Sequence, residues 1–124
     1  MADVILLEEL KQWLNSKKRF VLIDVRESNE LQHGMIPTAH HVSLGQLSAA
    51  LDLSANEFEK QFKFPKPSKS DNAVFYCRTG SRSAVAARIA SSKGFTAFNF
   101  HGSVFEWSKS DPAVRFYGPA PMGR

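Results

Sequence analysis

Residues 75–95 read FYCRTGSRSAVAARIASSKGF and combine an apolar end, a short polar loop and an alanine-rich segment. The apolar run before the loop is short and aromatic, which indicates a buried strand. After the loop, Val85 and Ile89 stand four positions apart, and the alanines around them let a helix backbone lie close to a sheet. Gly94 stands where a helix commonly ends. The stretch therefore predicts a strand, a tight loop and a helix, the repeating unit of an α/β fold.

The rest of the chain alternates between the same two kinds of segment. The continuous apolar run at residues 19–25 suits a parallel strand, because such strands are covered on both faces. Ser54 and Glu57 have the spacing of a capping box at the start of a helix. The other predicted strands lie at 2–7, at the sheet edge, and at 39–44, 73–76 and 96–100; the predicted helices lie at 7–15, 27–33, 45–51, 54–62 and 83–92. This alternation predicts a parallel α/β sheet.

The length of 124 residues is that of one ordinary domain. We predict a single domain over residues 1–124, with its core at about residues 3–108. Residues 109–124 form a Pro- and Gly-rich tail, which we expect to wrap the surface or to be partly disordered.

The composition argues against several classes of function. A single cysteine rules out an internal disulfide and any multi-cysteine metal site. The apolar runs are too short for a membrane helix, and the lysine clusters lack the interleaved aromatic residues of a nucleic-acid platform. Glu8 and Glu9 stand in the first apolar segment, which is unlike a targeting sequence. We therefore predict a cytoplasmic protein.

Cys77 falls at the carboxyl end of the predicted strand 73–76, where ligands bind in open α/β sheets. In the loop CRTGSR that begins here, Gly80 allows a turn that other residues cannot make, and Ser81 or Ser83 can cap the next helix. Backbone N–H groups of such a loop can form an anion-binding nest, reinforced by the helix dipole. Both effects lower the pKa of a cysteine toward the thiolate form. The alternative is an inert core cysteine, which does not account for the glycine and arginines around it.

Three separated motifs resemble those of one known family. They are CRTGSR at 77–82, LIDVRESNELQHGMIPTAHHVSL at 22–44 and FNFHGSVFEW at 98–107. Together they resemble the single-domain rhodaneses, sulfurtransferases that carry a sulfane sulfur as a cysteine persulfide, over roughly residues 3–108. The resemblance implies a three-layer α/β domain, with a central parallel sheet of about five strands and helices on both faces. It also implies thiosulfate sulfurtransferase activity.

The resemblance implies roles for individual residues as well. Cys77 would be the catalytic nucleophile that accepts the sulfur. Its persulfide would lie in a loop whose amides contact the outer sulfur, formed by Arg78, Thr79, Gly80, Ser81 and Arg82. Arg78 would face an incoming anionic donor, and Arg82 would close the loop. A charged hydrogen-bond network would brace the site from upstream, formed by Asp24, Arg26 and Glu30.

Two stretches depart from the family pattern. Met35 and Thr38 stand in a turn where the family more usually has other residues, a glycine among them; this affects the turn and leaves the chemistry intact. His101 and Gly102 occupy positions where the family often has two glycines. We interpret His101 as a packing residue at a strand end, with a proton partner near the site as the alternative. Two nearby aromatic residues are core candidates, Phe105 and Trp107.

Loop length distinguishes sulfur chemistry from phosphate chemistry on this fold. Phosphatases and arsenate reductases that share the fold have five residues between the cysteine and the arginine, whereas four residues separate Cys77 from Arg82. The shorter loop makes a smaller cradle, which fits one outer sulfur better than a phosphate. Tyr76 also stands where the phosphatases have a histidine. A non-catalytic rhodanese module that only binds a protein is the other alternative, but such modules commonly lose the cysteine that this chain retains.

Sulfur transfer implies small partners and no cofactor. The expected donor is thiosulfate or a persulfide, and the expected acceptor is cyanide or a thiol such as glutathione or thioredoxin. No metal, organic cofactor, nucleic acid or membrane is implied. The residue pattern leaves the physiological donor and acceptor open, and it does not define an oligomeric state.

Overall fold

The computed structural model describes residues 2–116. Strands and helices alternate along the chain as predicted. In order they are β1 (Asp3–Ile5), α1 (Leu7–Asn15), β2 (Phe20–Asp24), a 3₁₀-helix (Ser28–His33), β3 (His40–His41), α2 (Leu44–Leu51), α3 (Ala55–Phe62), β4 (Asn72–Tyr76), α4 (Ser81–Ser92), β5 (Thr96–Phe100) and α5 (Ser103–Trp107). Among these residues, no helix has both the length and the apolar character needed to cross a membrane.

The strands form one five-stranded sheet in the order β1-β5-β4-β2-β3, and every pair in it is parallel. This confirms the predicted α/β class with a parallel central sheet, and β1 is at an edge as expected. β4 is the middle strand, hydrogen-bonded to β2 on one side and β5 on the other. Its carboxyl end is therefore flanked by the ends of two neighbouring strands, and the next residue is Cys77.

Each face of the sheet carries its own core because side chains alternate along a strand. On one face, Ala73 and Phe75 of β4 pack with buried residues of α2, α3 and α4. On the other face, Val74 and Tyr76 pack with buried residues of α1 and α5. Helices thus cover both faces. The continuous apolar character of the central strands follows from this double coverage.

The structure differs from the predictions in three places. The strand expected at 39–44 is confined to His40–His41, which pair with Ile23 and Asp24 of β2. Beyond it, the Val42 and Leu44 amides still donate to the Asp24 and Val25 carbonyls. α4 begins at Ser81 and is preceded by Gly80, so neither Ser81 nor Ser83 is its N-cap. α5 was not predicted, since its five residues are too few to establish a helical period.

Two other local predictions are confirmed, the cap of α3 and the helical segment before Gly34. The Ser54 side chain caps α3 by accepting a hydrogen bond from the Glu57 amide at 3.2 Å. The segment before Gly34 is helical, although it is a 3₁₀-helix held by a capping box between Glu27 and Glu30 that the sequence analysis missed. The first part of the predicted tail packs against the domain, with Val114 buried. The rest of the predicted tail, residues 117–124, lies outside the described residues.

Candidate active site

Cys77 lies at the junction between β4 and α4, and its side chain is 1% exposed. The junction is tight because Gly80 has a φ of 102°, a left-handed conformation that favours glycine. A Cβ atom at Gly80 would also collide with the backbone oxygen of His101. The loop therefore turns back on itself directly after the strand, against the segment that follows β5.

The turn brings backbone N–H groups to the Cys77 sulfur. The amide of Gly80 donates to Sγ at 3.1 Å and that of Ser83 at 3.4 Å. The Ser83 hydroxyl lies 3.5 Å from the same sulfur. This convergence of donors at the start of α4 is the anion-binding arrangement expected of the loop.

These donors lower the pKa of Cys77. Burial is the largest single influence and acts in the opposite direction, because it disfavours the charged thiolate. Hydrogen bonds from the Ser83 hydroxyl and from the amides of Ser83, Gly80 and Thr79 together outweigh it, so the pKa of the thiol lies below its ordinary value. The site therefore stabilises a thiolate by directed dipoles rather than by solvent.

A buried polar cluster behind Cys77 positions these donors. The Ser83 hydroxyl donates to Asn99 Oδ1 at 2.6 Å, and Asn99 Nδ2 donates to the Gly80 carbonyl at 3.4 Å. The Ser103 hydroxyl accepts from the Cys77 amide at 3.1 Å and donates to the Phe100 carbonyl at 2.8 Å.

Three residues of the site were not predicted from the sequence: Ser83, Asn99 and Ser103. One signal was available, the polar Asn99 between two phenylalanines in an otherwise apolar strand. Buried polar groups are nearly always hydrogen-bonded, so such a residue indicates a buried partner.

Arg82 and Glu30 link the loop to the 3₁₀-helix. Arg82 donates from Nη1 to Oε1 of Glu30 at 2.6 Å and from Nη2 to Oε2 at 2.9 Å, a bidentate pair. The hydrogen bonds from Arg82 lower the pKa of Glu30 to about 2. Oε1 also accepts from the Glu27 amide at 2.8 Å, which completes the capping box. Arg82 therefore holds the loop against the 3₁₀-helix.

The 3₁₀-helix is in turn held by Arg26, which is 2% exposed. Its Nη2 donates to Asp24 Oδ2 at 2.7 Å and to the Gly34 carbonyl at 2.8 Å, and its Nη1 reaches the Glu30 carbonyl at 3.4 Å. Asp24 accepts further from Arg26 Nε at 3.0 Å. The predicted supporting residues are thus brought together in one chain of contacts, with Glu30 as the member that contacts the loop.

The remaining site candidates differ in their surroundings. The Arg78 guanidinium lies over the ring of Phe116, 4.3 Å from its centroid. Ser81 is exposed at the start of α4, whereas Thr79 contributes its amide to Cys77. Among the described residues, no group of three or more His, Cys, Asp or Glu side chains is placed to hold a metal ion.

The predictions for the residues after β5 have mixed outcomes. His101 is exposed, so its interpretation as a packing residue was wrong. Solvent reaches it because the chain leaves the sheet at Phe100 and turns over the loop. Trp107 is buried in the core as predicted, at 7% exposure, whereas Phe105 is only partly buried.

Known proteins resemble this chain in sequence and in structure. Residues 6–110 match the rhodanese-like domain family. A putative mitochondrial thiosulfate sulfurtransferase of Schizosaccharomyces pombe is 44% identical over 92 residues, which are 73% of this chain and 65% of that protein. The chain thus spans just under two thirds of that relative. The human thiosulfate:glutathione sulfurtransferase is 34% identical over 112 residues, covering 89% of this chain and 96% of that protein.

The solved structure of the human single-domain sulfurtransferase TSTD1 superimposes with a TM-score of 0.84 at 33% identity, covering 90% of this chain and 99% of that chain. With a family match over most of its length, the chain belongs to the rhodanese family.

Proposed function

We propose that this protein is a sulfurtransferase that moves a sulfane sulfur from thiosulfate or a persulfide to a thiophilic acceptor through a persulfide on Cys77. The observation that carries the proposal is the convergence of the Gly80 and Ser83 amides on the Cys77 sulfur, at 3.1 and 3.4 Å. The names of the relatives support it, since they include thiosulfate sulfurtransferases and a thiosulfate:glutathione sulfurtransferase.

The first half-reaction loads the cysteine. The Cys77 thiolate attacks the outer sulfur of thiosulfate, a bond forms between the two sulfurs, and the sulfur–sulfur bond of thiosulfate breaks. Sulfite leaves with the electron pair of that bond, so charge is conserved and no external oxidant is needed. The product is a Cys77 persulfide with its negative charge on the outer sulfur, close to the N-terminal end of α4, where the amides and the helix dipole favour an anion.

The second half-reaction transfers the outer sulfur from Cys77 to the acceptor. A nucleophilic acceptor attacks the outer sulfur of the persulfide. In the cell we propose the thiolate of glutathione or thioredoxin, and in an assay cyanide. The bond between the two sulfurs breaks, and Cys77 leaves as a thiolate. The donors that lower the pKa of Cys77 also make it a better leaving group, because they stabilise the same charge. Such a covalent intermediate predicts ping-pong kinetics.

The other site residues have supporting roles in this proposal. Arg78 attracts an anionic donor, and the amides from Arg78 to Arg82 surround the outer sulfur. Arg82 and Glu30 fix the loop to the 3₁₀-helix, which Arg26 and Asp24 brace. A cytoplasmic location, a single domain over the whole chain and the absence of a cofactor remain part of the proposal.

Contacts of Arg82 favour sulfur over phosphate. In phosphate chemistry the arginine of such a loop would contact the oxygens of the bound group. Here both terminal nitrogens of Arg82 contact Glu30, at 2.6 and 2.9 Å. A side chain held in this way braces the loop from outside, which suits a cradle for one outer sulfur.

The test is the intact mass of the reduced protein before and after exposure to thiosulfate, with Cys77→Ser as control. We expect the wild type to gain one sulfur atom, to lose it again to cyanide or dithiothreitol, and the variant to gain none. A folded wild type that gains no sulfur from thiosulfate or from a persulfide would refute the proposal. Hydrolysis of an aryl phosphate by the wild type alone would then support the phosphatase alternative, and inactivity in both assays a binding module.

A further inference from the structure

The hydroxyl of Ser103 joins the ends of two central strands at Cys77. β4 and β5 pair in register as far as Phe75 and Asn99. Beyond that pair, the Ser103 Oγ accepts a hydrogen bond from the Cys77 amide at 3.1 Å and donates one to the Phe100 carbonyl at 2.8 Å. A hydroxyl thus stands between the N–H that follows one strand and the C=O that ends the other, in the position of a ladder bond.

Both backbone polar groups of Cys77 are held on this side. The Tyr76 carbonyl points toward β2, where it accepts from the Val25 amide at 2.9 Å, so the groups of the next residue point toward β5. There Ser103 accepts from the Cys77 N–H, and the Val104 amide donates to the Cys77 carbonyl at 3.1 Å. Two consecutive residues at the start of α5 therefore fix the backbone from which the reactive side chain projects.

The backbone of Ser103 is strained. Its φ of 51° lies in the left-handed region that favours glycine. Among residues 2–116, two other non-glycine residues have a positive φ, Thr38 and Lys63, but both are exposed, whereas Ser103 is 0% exposed. Lys63 ends α3, where such a conformation is common. A buried side chain held in this region indicates a function for the residue, because surrounding contacts must offset the strain.

The contacts of the hydroxyl can offset this strain. A buried N–H without an acceptor is costly, so the Cys77 amide needs a partner at this point. The same hydroxyl oxygen lies 3.5 Å from the hydroxyl of Ser83, which in turn lies 3.5 Å from the Cys77 sulfur. Ser103 is therefore connected to the sulfur by two routes, through the Cys77 backbone and through Ser83.

We propose that Ser103 is a positioning residue whose hydroxyl bridges β4 and β5 and fixes the Cys77 backbone, so that the sulfur meets the N–H groups of its loop. This inference rests on the proposed function, because it concerns the nucleophile of the same reaction. It gives a role in the chemistry to a serine on a different element, 26 positions after the cysteine.

The test compares Ser103→Ala with Ser103→Gly. Both remove the hydroxyl, but only glycine adopts a φ of 51° without strain. The first measurement is the pH dependence of Cys77 alkylation by iodoacetamide, which requires no turnover. Below the pKa of the thiol, we expect both variants to react about three- to tenfold more slowly than the wild type, the factor for weakening one hydrogen bond to the thiolate. Above it, the rates should approach that of the wild type.

The second measurement is the melting temperature, which should separate the two variants. Ser103→Gly should melt a few degrees higher than Ser103→Ala, because it no longer holds a side chain at a left-handed φ. Their alkylation profiles should nevertheless be the same, since both lack the bridge. Arg82, a charged residue that interacts with the Cys77 thiolate, is unchanged in both.

Two control variants separate the hydroxyl from the strain. Ser108→Ala removes a hydroxyl directly after the same helix, which contacts the Phe105 carbonyl at 3.3 Å, and should keep the wild-type profile. Thr38→Gly relieves a φ of 72° at an exposed position. It should raise the melting temperature without changing the alkylation profile.

Four results would overturn the inference. A wild-type profile in both Ser103 variants would mean that the hydroxyl does not position the sulfur. A shifted profile in Ser103→Ala alone would mean that the backbone conformation matters and the hydroxyl does not. An equal loss of rate at every pH would mean that only access to Cys77 has changed, and a loss of folding in both variants that the hydroxyl serves the fold alone. Because alkylation requires only a reactive Cys77, these outcomes remain distinct from a failure to form the persulfide.

Discussion

The hydroxyl oxygen of Ser83 lies 3.5 Å from the sulfur of Cys77. The same oxygen is 2.6 Å from Oδ1 of Asn99. A hydroxyl has one proton, so it cannot donate to both acceptors at once. While Cys77 is a thiol, its S–H can donate to Ser83, whose own proton goes to Asn99. Once Cys77 ionises, the hydroxyl can rotate and donate to the sulfur, which makes Ser83 a donor that responds to the charge it stabilises.

Replacing Ser83 with alanine should therefore raise the pKa of Cys77. The variant loses a hydrogen bond to the thiolate, which is worth about 1.5–3 kcal/mol. Since about 1.4 kcal/mol corresponds to a factor of ten, the rate of alkylation by iodoacetamide at neutral pH should fall about tenfold or more. The measurement is the pH dependence of that rate. Ser92→Ala on the same helix removes only a hydroxyl that contacts the Ile89 carbonyl, and it serves as control. Unchanged alkylation in Ser83→Ala would show that the backbone amides alone support the thiolate.

Gly80→Ala should abolish persulfide formation. The φ of 102° disfavours any side chain, and the new Cβ would collide with the His101 carbonyl, so the loop must move away from the sulfur. The readout is the gain of sulfur from thiosulfate by intact mass. Gly45→Ala is the matched control, because it lies in α2 with open space around its Cβ position. That control should load sulfur normally and be stabilised by up to about 1 kcal/mol. Normal loading by Gly80→Ala would contradict the role of the turn.

Asp24→Asn should lower the free energy of unfolding by about 3–5 kcal/mol, because it leaves the buried guanidinium of Arg26 without its counter-charge. The side chains of this pair are 0% and 2% exposed. Urea denaturation gives the value. Asp52→Asn breaks the pair with Lys93, in which the aspartate is 66% exposed, and should cost less than about 1 kcal/mol. Similar losses in the two variants would mean that burial does not set the strength of these pairs.

Much of the fold could be predicted from the sequence because it depends on local and periodic signals. The apolar run of β2 and the short run of β4 are buried on both faces, and their composition reflects this directly. The position of Cys77 followed from one rule, that ligands bind at the carboxyl ends of parallel strands. The short β3 was less predictable, because its two paired residues are too few to carry a periodic signal.

The candidate site was only partly predictable, for a physical reason. The loop residues and Ser83 are contiguous in the sequence, whereas Asn99 and Ser103 come close to Ser83 and Cys77 only through the pairing of β4 with β5. The position of Phe116 depends on how the C-terminal segment packs against the 3₁₀-helix. Such contacts have no periodic signal. The exposure of His101 likewise follows from the turn after Phe100 and not from its neighbours in the chain.

Glu30→Gln should destabilise the protein in a way that depends on pH. The hydrogen bonds and charge of Arg82 lower the pKa of Glu30 to about 2, from an ordinary value of 4.5. A carboxyl whose pKa is lowered by folding contributes stability above its unfolded pKa and loses it as the pH falls through the folded value. The contribution is therefore complete above about pH 5 and disappears between about pH 4.5 and 2.

We expect Glu30→Gln to lower the free energy of unfolding by about 1 kcal/mol at neutral pH, a modest value because both partners are partly exposed. The difference from the wild type should shrink as the pH is lowered from about 4.5 toward 2, measured by urea denaturation at each pH. Glu59→Gln removes an exposed carboxylate on α3 and should change the free energy by less than about 0.5 kcal/mol. If the difference for Glu30→Gln stays constant down to the lowest pH at which the protein folds, the pair with Arg82 is not what stabilises this carboxylate.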